Sequence, residues 1–139
     1  MIDLSSLTHA CTSLQEALEV TDRYLQSGSL NTAEFRTFRA GVIQNFEFTY
    51  ELSWKAMRNW LAENLGKTVV DGITRKELFR FAAEHYLINE VTPWFNYHRQ
   101  RNQTSHTYEE STAVEVYSVI QNFLIDAQLL LKRLNEKND

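Results

Sequence analysis

Apolar residues recur at alternating four- and three-residue intervals along most of this chain. Leu7, Cys11, Leu14, Leu18, Thr21 and Leu25 form the first series and predict a helix that ends near Ser27 and Gly28. Asn31 to Glu34 has the pattern of a capping box, with an Asn side chain to accept from a free backbone N–H and a Glu to reach back. From Phe35 the rhythm runs through Phe38, Val42, Phe46, Tyr50, Trp54, Met57, Leu61 and Leu65, which predicts one helix of roughly 50 Å. Gly41, Phe48, Leu52 and Ala56 make a second apolar strip on its other side. Two faces need two partners.

Thr74 and Glu77 form a second capping pattern and open a short helix through Leu78, Phe81 and Ala82. Thr92 followed by Pro93 reads as an N-cap with Pro at the first helical position, where its missing N–H is harmless. That helix carries Trp94, Phe95 and Tyr97 and is expected to run out near Asn102. Thr107 with Glu110 is a cap for the last helix, whose seam of Ala113, Tyr117, Ile120, Leu124, Ala127, Leu131 and Leu134 is nearly heptad. No segment alternates as a strand would. The expected fold is an all-α, up-down helical bundle of about five helices around a four-helix core, one domain spanning 1–139. A helix of roughly 50 Å exceeds the diameter of so small a domain, and with its second strip it points to a homodimer.

Composition narrows the partners. Only four Gly and one Pro occur in 139 residues, so no linker or low-complexity tract interrupts the helices. No apolar run approaches the ~20 residues of a membrane span and no signal-like start is present, so a soluble, cytoplasmic protein without membrane contact is expected. Cys11 is the single cysteine and falls on the first apolar stripe, where it reads as core. The net charge of −4 argues against a general nucleic-acid coat. That charge is unevenly spread: Val91 to Tyr108 contains no Asp or Glu but includes His98, Arg99, Arg101 and His106.

Within that stretch lies Arg101-Asn-Gln-Thr-Ser-His106-Thr-Tyr108. On an unbroken α-helix the side chains of Arg101 and His106 diverge by about 140°. Asn102, Gln103, Thr104 and Ser105 all favour turns and caps, so a break between the two is expected, bringing a permanent cation and a residue titrating near neutrality to one side of a helix junction. Such a pair suits metal-free phosphoryl chemistry on RNA, the histidine moving a proton and the arginine holding the phosphate. Taken alone, the pattern also fits a solvated helix junction. Trp54, Trp60, Phe46 and Phe48 fit core or dimer contacts better than a base-stacking platform. His9 and His85 have no ligand partners nearby, and neither a metal nor a cofactor is expected. His98, on the turn before Arg101, is a candidate to line the same cleft.

Two segments, FEFTYELSWKAMRNWL from Phe46 to Leu61 and RNQTSHTYEESTA from Arg101 to Ala113, resemble the nucleotidyltransferase substrate-binding proteins, the HepT-type branch of the HEPN superfamily. The likeness extends over nearly the whole chain in helix order. The superfamily's mark is arginine, four to six residues, then histidine, with a tyrosine two residues later in the HepT-type form. Arg101, His106 and Tyr108 fill these places. Arg99 also satisfies the longer spacing, but the tyrosine-bearing form uses the four-residue gap. The resemblance implies a helical dimer partnered with a minimal nucleotidyltransferase, with RNA or a nucleotide as ligand. One implied activity is a metal-independent endoribonuclease toxin, with Arg101 and His106 catalytic, Arg99, Asn102 and His98 binding substrate, and Tyr108 accepting AMP from the partner. The other is a non-catalytic subunit that helps the nucleotidyltransferase recognise its substrate.

Overall fold

The computed structural model describes residues 1–138. Three long helices carry the architecture: α1 (Ser5–Leu25), α2 (Ala33–Leu65) and α6 (Glu110–Lys137). Between α2 and α6 the chain forms α3 (Lys67–Val70), α4 (Arg75–Glu84) and α5 (Val91–Gln103), then a 3₁₀ turn at Thr104–His106. This is the expected all-α bundle. The short α3 has no counterpart in the sequence reading, because four residues are too few to show a period.

The apolar series pack as their spacing dictates. Leu7, Cys11, Leu14, Leu18 and Thr21 of α1 are buried, as are Val42, Phe46, Tyr50, Met57 and Leu61 of α2. The seam of α6 is wider than a heptad: Val116, Phe123 and Leu130 are buried beside Ala113, Ile120, Leu124, Ala127 and Leu134, while Tyr117 and Leu131 are only partly covered. At the centre Phe123 meets Phe46 edge-on at 4.9 Å, Tyr97 at 5.1 Å and Trp94 at 5.8 Å, geometries that aromatic quadrupoles favour. These contacts draw α2, α5 and α6 together. Of the second strip on α2, Ala56 is buried and Phe48 is 55% exposed.

The helix ends correct three expectations. Thr32, not Asn31, caps α2, its hydroxyl accepting from the Phe35 N–H at 3.0 Å. α5 begins at Val91 after Glu90, so Pro93 occupies the third helical position rather than the first; it is still within the turn whose N–H groups have no helical partner. α6 begins after Glu109, whose side chain makes no capping bond, and the Thr107 hydroxyl donates back to the Thr104 carbonyl. Thr74 and Glu77 do form a reciprocal capping box. Gly66 ends α2 at φ +105°, a conformation a side chain would strain, and lets the chain turn at once into α3.

The tail is better anchored than its charged composition implies. Asn138 accepts from the Ile2 N–H and donates to the Ile2 carbonyl, each at 2.9 Å, and Asp139 lies outside the described residues. By length and composition α6 is apolar enough to cross a membrane, with a mean hydropathy of 1.2 over eighteen residues. Its apolar face is the core of the bundle.

Candidate functional site

α5 is fixed by Trp94, Tyr97 and Gln100, all buried at three-residue spacing. Arg101 follows on its last turn. The expected break between Arg101 and His106 does not occur there. Gln103, Thr104 and Thr107 keep right-handed helical dihedrals, and the helix tightens into a 3₁₀ turn. The buried Thr104 hydroxyl donates to the Arg101 carbonyl at 2.7 Å and the Thr107 hydroxyl donates to the Thr104 carbonyl at 3.1 Å. Such three-residue side-chain bonds compete with continuation of the α-helix. The chain swings into an extended conformation only at Glu109, with ψ 124°.

Arg101 is held from two directions. Its Nη1 donates to the Thr104 hydroxyl at 3.0 Å, and the guanidinium lies 3.4 Å from a Glu51 carboxylate oxygen and 3.7 Å from one of Glu47. These acids stand one turn apart on α2. The side chain is 30% exposed and its Nε makes no hydrogen bond, so the cation is oriented without being saturated. His106 is exposed at the end of the 3₁₀ turn, and Tyr108 is 79% exposed beside it, the ring centroids 6.2 Å apart. No hydrogen bond joins Arg101 to His106 among the described residues.

The remaining candidates separate. Arg99 points into solvent and donates to the Asn96 side chain at 2.6 Å, and Asn102 is exposed. His98 is partly buried, its Nδ1 2.7 Å from the Tyr50 hydroxyl. Burial lowers its pKa from the ordinary 6.5, with further repulsion from Arg75 and Lys76 partly opposed by Glu51. Burial likewise raises the Tyr50 phenol well above its usual range.

Sequence reasoning missed the α2 contribution. Glu47, Glu51 and Trp54 stand at i, i+4 and i+7, one face of the helix. Glu51 also accepts from the Trp54 indole at 3.0 Å, which ties that ring to the Arg101 environment. The spacing was readable, but nothing in it named α5 as the element opposite. Among the described residues no three His, Cys, Asp or Glu side chains gather at a metal-binding distance. What the segment offers chemically is an exposed imidazole, an exposed phenol and an oriented guanidinium within eight residues.

Known proteins share this fold and sequence. A relative from Haemophilus influenzae described as a probable ribonuclease HepT is 40% identical over 103 residues, covering 73% of this chain and 70% of its own. A solved structure from the same organism, described as having the fold of a substrate binding domain of a nucleotidyltransferase, superposes with a TM-score of 0.85 at 34% identity, covering 96% of this chain and 99% of the other. A crystal structure from Thermus thermophilus matches with a TM-score of 0.65 at 26% identity, covering 87% and 98%. The family model described as nucleotidyltransferase substrate binding protein like matches residues 2–136. With the helical bundle and the Arg101, His106 and Tyr108 segment in place, the chain belongs to the nucleotidyltransferase substrate binding protein-like family.

Proposed function

We propose that this protein is a cytoplasmic, metal-independent endoribonuclease toxin, partnered with a minimal nucleotidyltransferase that silences it by transferring AMP to Tyr108. The observation that carries this reading is the exposed His106–Tyr108 pair at the end of a turn that begins at the oriented Arg101. His106 removes the proton of an RNA 2′-hydroxyl. The freed oxygen attacks the adjacent phosphorus, and the 5′-oxygen leaves and takes up a proton. Arg101 holds the phosphate as its charge grows. The products are a 2′,3′-cyclic phosphate and a 5′-hydroxyl. Arg99, Asn102 and His98 contribute to substrate binding.

A homodimer completes the proposed site. Arg101 and His106 of one chain make no mutual bond, and a two-fold axis through a shared cleft doubles the cations available to the phosphate. The exposed Phe48 on the second strip of α2 supplies apolar surface for such a contact. Arg101 engaged by Glu47 and Glu51 favours the second reading, a non-catalytic subunit that presents a substrate to the nucleotidyltransferase.

Cleavage of RNA by the chain freed of its partner separates the two. His106→Ala and Arg101→Ala are each expected to reduce cleavage by about 10²–10⁴-fold with the bundle intact, and activity is expected to survive EDTA. Cleavage unchanged in His106→Ala, or lost on chelation, would remove this mechanism. Absence of cleavage under any condition selects the substrate-binding subunit.

A further inference from the structure

Arg75 opens α4 as a partly buried cation that no acid pairs directly among the described residues. Its guanidinium carbon lies over the Trp54 indole, 3.3 Å from the ring centroid. Its Nε is buried and unsatisfied. Burial outweighs the support its charge draws from nearby Tyr50 and Glu51, and Arg58 adds repulsion, so its pKa falls below the ordinary arginine value. Stacking on an aromatic face fixes the plane of an arginine but leaves its N–H edge open to a ligand. Arg75 lines a pocket of about 210 Å³ together with Trp54, Arg58 and Thr74. Arg58 enters from α2 and is 44% exposed, its nearest acid Asp71 at a loose 3.6 Å. The backbone N–H groups of Arg75 and Lys76, in the first turn of α4, have no partner among the described residues either.

The pocket is linked to the Arg101 segment through Trp54, which lines it and donates to Glu51. Glu47, Glu51, Trp54 and Arg58 follow one stripe of α2, and the eleven steps from first to last rise roughly 16 Å. Glu51 touches both the Arg101 guanidinium and the Trp54 indole. Arg101 rests against Glu51 and Arg75 against Trp54, one turn further along the same face of α2, so neighbouring phosphates of one strand can engage the two cations.

We propose that Arg58 and Arg75 form a second phosphate-binding site, occupied by the backbone of the RNA strand whose scissile phosphate lies at Arg101. The inference rests on the ribonuclease reading for the identity of its ligand, whereas the phosphate chemistry of the pocket stands on its own residues. A single phosphate here gives Arg75 the direct counter-charge that its protein neighbours do not supply.

The test is fluorescence anisotropy of a labelled ten-nucleotide single-stranded RNA bound to the His106→Ala chain, at several salt concentrations, with inorganic phosphate and AMP as competitors. Adding Arg58→Glu, or Arg58→Ala with Arg75→Gln, is expected to weaken RNA binding by about tenfold or more. The slope of log affinity against log salt is expected to flatten by about 0.7 for each phosphate that is no longer neutralised. In the chain with His106 intact the same changes raise KM for RNA and leave kcat. Arg58→Glu, at an exposed position, keeps the test valid if the Arg75 variant fails to fold. RNA binding and salt slope unchanged in Arg58→Glu overturn the site even if cleavage still requires His106. AMP or inorganic phosphate binding that is lost in the variants, in a chain that neither binds nor cuts RNA, keeps the phosphate pocket and rejects the ribonuclease. Failure of every phosphate-bearing probe to bind the parent chain overturns the proposal.

Discussion

Arg39 and Glu110 face each other across a two-pronged ion pair, with N–O distances of 2.8 and 2.7 Å, that ties the second turn of α2 to the first residue of α6. The arginine is nearly buried, at 7% side-chain exposure, and lies over the Phe35 ring, whereas the carboxylate is largely in solvent. Because Glu110 follows Tyr108 by two residues, the pair fixes the far end of the turn that presents His106 and Tyr108. Loss of the Glu110 charge leaves a buried cation unpaired.

That pair has a pH signature. The hydrogen bonds from Arg39 hold the Glu110 carboxyl below its ordinary 4.5. A carboxyl depressed in the folded state contributes stability that is fully present above its unfolded value and is lost as pH falls through the folded one. Glu110→Gln is therefore expected to melt at a lower temperature than the parent at pH 7, and the gap is expected to close as the pH falls through the folded value of the carboxyl. A gap independent of pH would show that the charge is not what matters.

His98 titrates in the opposite chemical sense with the same outcome. Burial favours its neutral form, so the unfolded chain binds the proton more readily. Stability linked to His98 is complete above the ordinary 6.5 and declines as pH falls below it toward the folded value. The urea midpoint of the parent is expected to drop between about pH 7 and pH 5 more than that of His98→Gln. Equal drops would place the pH dependence elsewhere.

The aromatic centre sets the stability of the bundle. Phe123 has no exposed surface and contacts rings from α2 and α5. Phe123→Ala is expected to lower the unfolding free energy by about 3–5 kcal/mol, measured by urea denaturation followed by circular dichroism. A loss below about 1 kcal/mol would mean that the neighbouring rings close the cavity.

Tyr108 separates the two functional readings. In the toxin reading its hydroxyl attacks the α-phosphorus of ATP in the partner's active site, pyrophosphate leaves, and the phenol proton passes to a base. The phosphodiester adds negative charge within reach of Arg101 and blocks RNA there. Co-expression with the nucleotidyltransferase is expected to yield a chain heavier by one or more AMP units, mapped by mass spectrometry to the Tyr108 peptide and absent in Tyr108→Phe. The Phe variant is expected to resist silencing while still cleaving. An unshifted mass beside an active partner and ATP favours the substrate-binding subunit.

The long stripes were legible because burial repeats with the helical period: Leu14, Phe46 and Ile120 stand where their spacing puts them. Ends were less so. Thr74 reads correctly because both halves of its capping box are local, but Pro93 misled because Pro is tolerated throughout a first turn as well as at its start. The Arg101, His106 and Tyr108 positions were visible as spacing, whereas their backbone was not. Four residues with turn preferences tightened the helix instead of breaking it, since the Thr104 hydroxyl is bonded to both the carbonyl and the guanidinium of Arg101. The Glu47–Glu51–Arg101 cluster needed two helices far apart in sequence to be docked, which no local pattern reports.

α2 is in contact with every other helix of the chain. Amide protons along its middle are therefore expected to be among the slowest of the molecule to exchange, since a helix with so many neighbours has few small openings. The turn at Thr104–His106 packs on α5 and α6 instead, and reaches this rod through the neighbouring Arg101 side chain. A ligand spanning Arg101 and Arg58 would be gauged against a ruler of fixed length rather than a hinge.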